Sequence, residues 1–179
     1  VARAYADGVS MGADLSPDMA DEKISADAAP KFAVWAQADA DSAPLQRLQI
    51  IKGWIDVEGK THERVIDVAC AGGVAVDPRT NRCPDNGATV DLGDCSTSAD
   101  TGASELRTVW TDAEFDANQR SFYYARVLEN PTCRWNTWDA LYAGTQPRSD
   151  LAATLQERAW SSPIQYHPAG ESAKDVMGD

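Results

Sequence analysis

Apolar and polar positions alternate in twos along most of the chain. In "KFAVWAQADA" (31–40), Phe32, Val34 and Ala36 fall on one face of an extended segment. "LQRLQIIKGWIDV" (45–57) sets Leu48, Ile50 and Trp54 on one face and Ile51 and Ile55 on the other. "VEGK" supplies turn chemistry and "THERVIDVAC" (61–70) runs back, which predicts a hairpin. "ELRTVW" (105–110) and the aromatic, β-branched "FYYARVLEN" (122–130) predict two more strands, the second ended by Pro131. "TDAEFDANQRS" between them reads as a polar connection. Residues 154–167 alternate again, with Trp160, Ser162, Ile164 and Tyr166 opposite Ser161, Pro163, Gln165 and His167, and predict a closing strand. A short strand is also expected at Val1–Tyr5.

Only one stretch reads as a helix: Thr137 as its cap, "WDALYA" as its body, and Gly144 with Pro147 as its stop. Residues 71–104 have no period, and so long an irregular stretch calls for stapling or a function. Six or seven strands and one short helix predict an all-β fold. The specific expectation is an immunoglobulin-like antiparallel β-sandwich with a long disulfide-stapled loop. Residues 1–30 read as an extended arm, 31–168 as the sandwich and 169–179 as a polar tail. Phe122, Tyr124, Trp160, Ile164 and Tyr166 are assigned to the core. Of Trp35, Trp54, Trp110, Trp135, Trp138 and Trp160, at least four of the six are expected to be buried, against a sugar-stacking platform as the competing reading.

Composition narrows the function classes. The 179 residues suffice for one substantial domain, and no apolar run has the length of a membrane helix. The net charge of −12 and the lack of any Lys/Arg cluster argue against nucleic acid and against anionic membranes as partners. The chain begins at valine, which reads as a mature product or an excised fragment. Cys70, Cys83, Cys95 and Cys133 include no C-x-x-C pair, so zinc is disfavoured and disulfides in an oxidising compartment are favoured. Three pairings exist. The favoured one closes a short loop with Cys70–Cys83 and ties the long loop to a strand end with Cys95–Cys133.

Candidate chemistry is thin. Ser161 and Ser162 lie in an alternating strand beside a proline, not on a glycine-flanked nucleophile turn, so a Ser–His–Asp site with His62 or His167 has no support in the spacing. Asp77, Asp85, Asp91 and Asp94 concentrate oxygen ligands on the irregular segment and are the calcium candidates, although their spacing does not fit an EF-hand. A solvated, disulfide-held loop is the preferred reading of the same residues.

Three stretches carry more than pattern: "LQRLQIIKGWIDVEGKTHERVIDVA", "SFYYARVLENPTCRW" and "QERAWSSPIQY". Together they resemble the C-terminal portion of a bacterial family of unknown function related to the PHP (polymerase and histidinol phosphatase) metal-dependent hydrolases. "GVSMGADL" resembles the point where such proteins leave the hydrolase-like part. The resemblance implies an exported bacterial protein whose metal is held by His and Asp/Glu of an N-terminal part. With two histidines this chain does not replace that part. No catalytic, cofactor-binding or metal-ligating residue carries over. The expected role is a non-catalytic accessory domain whose partner is the hydrolase-like domain, with a standalone glycan- or calcium-binding module as the alternative.

Overall fold

The computed structural model describes residues 8–17, 29–98 and 100–170. Its strands are β1 (Asp14–Leu15), β2 (Lys31–Gln37), β3 (Leu45–Ile55), β4 (Thr61–Cys70), β5 (Glu105–Thr111), β6 (Ser121–Cys133), β7 (Thr154–Trp160) and β8 (Ile164–Tyr166), with one helix, α1 (Trp135–Ala143), before β7. The larger sheet has six strands in the order β1-β8-β6-β3-β4, with β7 also on β6. β2 and β5 form a second, two-stranded sheet. This is an all-β, sandwich-like fold with one helix, in keeping with the alternation. One pair departs from the antiparallel pattern: β1 runs parallel to β8. The strand expected at Val1–Tyr5 and most of the polar tail lie outside the described residues.

The β2–β5 ribbon covers one face of the large sheet because its own alternation is clean. Phe32, Val34 and Ala36 stand opposite Trp110, Thr108 and Leu106. Phe32 and Leu106 are buried, while their neighbours Arg107 and Val109 are exposed. The large sheet answers with Leu48, Ile50 and Tyr123, and the Phe32 and Tyr123 rings lie 4.5 Å apart. Each such buried aliphatic or aromatic side chain contributes on the order of 1.5–3 kcal/mol.

A buried ion pair joins the two layers. Lys52 shares the inward face of β3 with Leu48 and Ile50, and its Nζ lies 2.5 Å from Asp112, just past the end of β5. Nζ also donates to the Glu114 carbonyl at 2.9 Å, and the Tyr123 hydroxyl donates to Asp112 at 2.7 Å. Asp112 thus lies in the core, not in the solvated connection that "TDAEFDANQRS" predicts, because it continues the inward phase of Leu106, Thr108 and Trp110 by one step.

The elements differ from the sequence expectations in three places. Pro131 does not end β6: the strand runs to Cys133, and a register shift between Leu128 and Pro131 accommodates the missing N–H. The closing strand is two strands, β7 and β8, separated by Ser161–Pro163 and both paired with β6. The helix begins at Trp135, with Arg134 as its cap and no side-chain cap bond. Thr137 lies inside the first turn and donates through Oγ1 to Ala153 O at 2.7 Å. Gly144, left-handed at φ 62°, ends the helix as expected.

The irregular segment is stapled as favoured above, with Cys70–Cys83 and Cys95–Cys133 both formed. Their closed loops of 13 and 38 residues correspond to about 3 and 4 kcal/mol on a chain-entropy basis. Side chains reinforce the staples. Buried Asp67 on β4 accepts from the Cys83 N–H at 2.7 Å and from Gln49 Nε2 at 2.6 Å, and Asn86 Nδ2 donates to Asn130 Oδ1 at 2.8 Å.

Removing Lys52 alone leaves a buried carboxylate without its cation. Lys52→Ala is expected to lower stability by about 3–5 kcal/mol, read as a lower urea midpoint, and Lys52→Met with Asp112→Asn to regain at least half of that loss. Burial, and then the Asp112 carboxylate that needs its proton, push the Tyr123 hydroxyl well above the ordinary phenol range. The unfolded chain releases this proton at about pH 10 while the folded chain keeps it, so stability is intact below that pH and falls above it. Urea midpoints measured from pH 9 to 11 should fall less steeply in Tyr123→Phe.

Candidate functional site

Tyr123 faces the core, so Phe122 and Tyr124 face the opposite side of β6. Cross-strand pairing orders that outer face into rows. Gln165, Phe122, Gly53 and Glu63 form one row, Tyr124, Ile51 and Val65 the next, and Trp160, Arg126, Gln49 and Asp67 the third. The end of this face bearing Asp67 is engaged by Cys83 of the stapled segment. The other end carries an aromatic shelf. Phe122 and Trp160 are 39% and 57% exposed, and the Phe122 and Tyr124 rings are nearly parallel at 6.2 Å.

Two local features shape the shelf. The β7–β8 break leaves Tyr124 and Ala125 without register partners on that side of β6, and a hollow of about 460 Å³ opens there, lined by Phe122, Tyr124, Trp160, Ser161, Pro163 and Gln165. Gly53 lets Phe122 lie flat on the sheet: a Cβ at position 53 would fall 2.2 Å from Phe122 Cζ. The break also reverses the phase expected for "WSSPIQY". Trp160 joins Pro163 and Gln165 on the shelf, while Tyr166 turns into the core.

These observations overturn the burial expected for several aromatics. Phe122 and Trp160 are exposed and not core, whereas Tyr166 is core and Ile164 packs against it. Trp35, Trp135, Trp138 and Trp160 are exposed, and Trp54 and Trp110 are half-buried, so the expectation of four buried tryptophans fails. For Phe122 and Trp160 the reason is coverage: the two-stranded ribbon covers one face of the large sheet, and among the described residues no second sheet covers the shelf end of the other face.

The reactive groups are dispersed. Ser161 Oγ accepts from the Ala125 N–H at 2.9 Å and donates to the Ser162 carbonyl at 3.0 Å. His62 Nε2 pairs with Asp56 at 2.6 Å and its ring stacks on Trp54. His167 pairs with a different aspartate, Asp14, at 3.3 Å. The His62 hydrogen bond is the main reason that Asp56 is held below the usual carboxylate range. The calcium candidates Asp77, Asp85, Asp91 and Asp94 each use one carboxylate oxygen to accept a backbone N–H two residues ahead. Among the described residues, no three His, Cys, Asp or Glu side chains are grouped to hold a metal ion. No helix among them is long and apolar enough to cross a membrane. A second hollow, of about 280 Å³, lies beside Lys52, Trp54, Arg64 and Asp112, where both cations are already paired with Asp112 and Glu114.

If Phe122 rests on the sheet through the space at Gly53, the two positions are coupled. Gly53→Ala is expected to destabilise by about 1–3 kcal/mol through overpacking. The same change in a Phe122→Ala background should have little effect, and a double-mutant cycle of urea midpoints measures the coupling.

No curated protein and no solved structure matches this chain. Residues 1–168 match a family described as protein of unknown function (DUF3604), which covers both sheets, both disulfides and the aromatic shelf. The chain belongs to the DUF3604 family.

Proposed function

We propose that this chain is a non-catalytic, exported β-sandwich module of a larger bacterial protein, docked through its aromatic shelf onto a PHP-like hydrolase domain. The observation that carries this reading is the position of the arm. β1 pairs with β8, Gly12 N donates to Pro163 O at 3.0 Å, and Pro163 and Gln165 line the shelf. A domain joined through the arm is therefore held at the shelf's edge. Contiguous exposed aromatic surface of this kind marks an interaction site. The metal chemistry belongs to the docked domain, and the two disulfides fit an oxidising compartment.

The test is to produce separately this chain and the hydrolase-like domain that the reading requires, and to titrate one with the other by calorimetry. A one-to-one complex is expected, weakened at least tenfold by Phe122→Ala with Trp160→Ala. No binding, or binding indifferent to both changes, overturns the reading.

A further inference from the structure

The helix carries a second aromatic surface that docking through the shelf does not use. Trp135, Trp138 and Tyr142 recur at i, i+3 and i+7 along α1 and are 57%, 38% and 83% exposed. The Trp138 and Tyr142 rings stack at 5.9 Å and 22°. The opposite side of the helix is held down, with Asn136, Thr137 and Ala140 buried and Thr137 bonded to Ala153. The stripe is therefore the outward face of a docked helix. It follows the Cys133 end of β6, whereas the shelf lies toward the Ser121 end.

We infer that this stripe is a binding site for a neutral glycan chain. Area decides against a free protein partner, which unlike a domain held to the shelf through the arm has no tether to raise its effective concentration. Three partly exposed rings offer on the order of 300–500 Å², short of the roughly 800 Å² per partner of a stable protein interface. Charge decides against anionic lipid, nucleic acid or acidic polysaccharide, because the chain carries −12 and the helix adds Asp139 with no basic residue. Shape and chemistry fit a sugar. The stripe is about 10 Å long from Trp135 to Tyr142, the span of two sugar rings, and flat rings pack against the C–H faces of pyranoses. Asp139 is exposed, four residues after Trp135 and three before Tyr142, so its carboxylate shares that side of the helix and accepts hydrogen bonds from sugar hydroxyls.

The test titrates the chain, with its disulfides intact, with neutral cello-, xylo- and chito-oligosaccharides, following tryptophan fluorescence and calorimetric heat. Saturable binding to at least one of them is expected. Trp135→Ala should weaken it at least tenfold at unchanged melting temperature, Trp138→Ala should weaken it as strongly, and Asp139→Asn should weaken it severalfold. Trp160→Ala on the shelf should leave it intact, which separates this site from the docking surface. No response to any neutral oligosaccharide, a response untouched by the helix substitutions, or a concentration-dependent self-association that those substitutions abolish would each overturn the inference.

Discussion

The Lys52–Asp112 pair is the interaction on which the layering depends. It sits where the end of β5 meets the middle of β3, and Tyr123 of β6 hydrogen-bonds the same carboxylate. Three strands from two sheets are thereby fixed to one buried charge, and the ribbon is held over the inner face. Such a pair is a poor source of net stability, because desolvating two ions offsets most of their attraction. It is a strong source of position, since moving either layer strands a charge in the core. The aromatic residues around it gain their geometry from this constraint: Lys52 Nζ lies 5.4 Å from the Trp54 ring and 5.8 Å from the Tyr123 ring.

Fixing the ribbon on one face determines what the other face becomes. Among the described residues no second sheet lies against the outer face, which is organised by side chains from the stapled segment at one end and by its own aromatics at the other. At the stapled end, Asp67 and Asn130 accept hydrogen bonds that join Cys83 and Asn86 to the sheet, and Gln49 on the neighbouring strand donates to the same Asp67 carboxylate. At the shelf end Gly53 and the β7–β8 break do the opposite, removing a side chain and the register partners of Tyr124 and Ala125 on that side of β6. Thus one sheet face carries a closed polar end and an open aromatic end.

The sequence made the strands legible because period two survives wherever one face is buried. It also made the disulfide framework legible, since a short loop and a strand-end tie are what polar flanks and spacing favour. What it left hidden was coverage. Alternation in "SFYYARVLEN" separates Tyr123 from Phe122 and Tyr124, yet it does not say which set meets a second layer. The pair of aromatics looked more like core than the single one, and the second layer fell on the single one. Lys52 and Asp112 were also readable in principle, as opposite charges on the inward phases of two strands. The word "polar" concealed Asp112, because charge is an indicator of exposure only while no partner is in reach.

The exposed tryptophans carry the argument furthest from sequence to function. An indole on a strand or helix is usually burial material, and a chain of this size has core enough to take several. Here the core is built instead from Leu45, Leu48, Ile50, Phe32, Tyr123 and Tyr166. Trp160 and the two helix tryptophans stand on surfaces that the fold itself holds rigid: a paired strand end and a helix capped by Gly144 and anchored through Thr137. Rigid, flat and exposed is the combination that binding surfaces need, since little conformational freedom is lost when a partner arrives. The fold therefore leaves most of its indoles at the surface and takes its cohesion from aliphatic residues, the smaller aromatics Phe32, Tyr123 and Tyr166, its buried ion pair and its two disulfides.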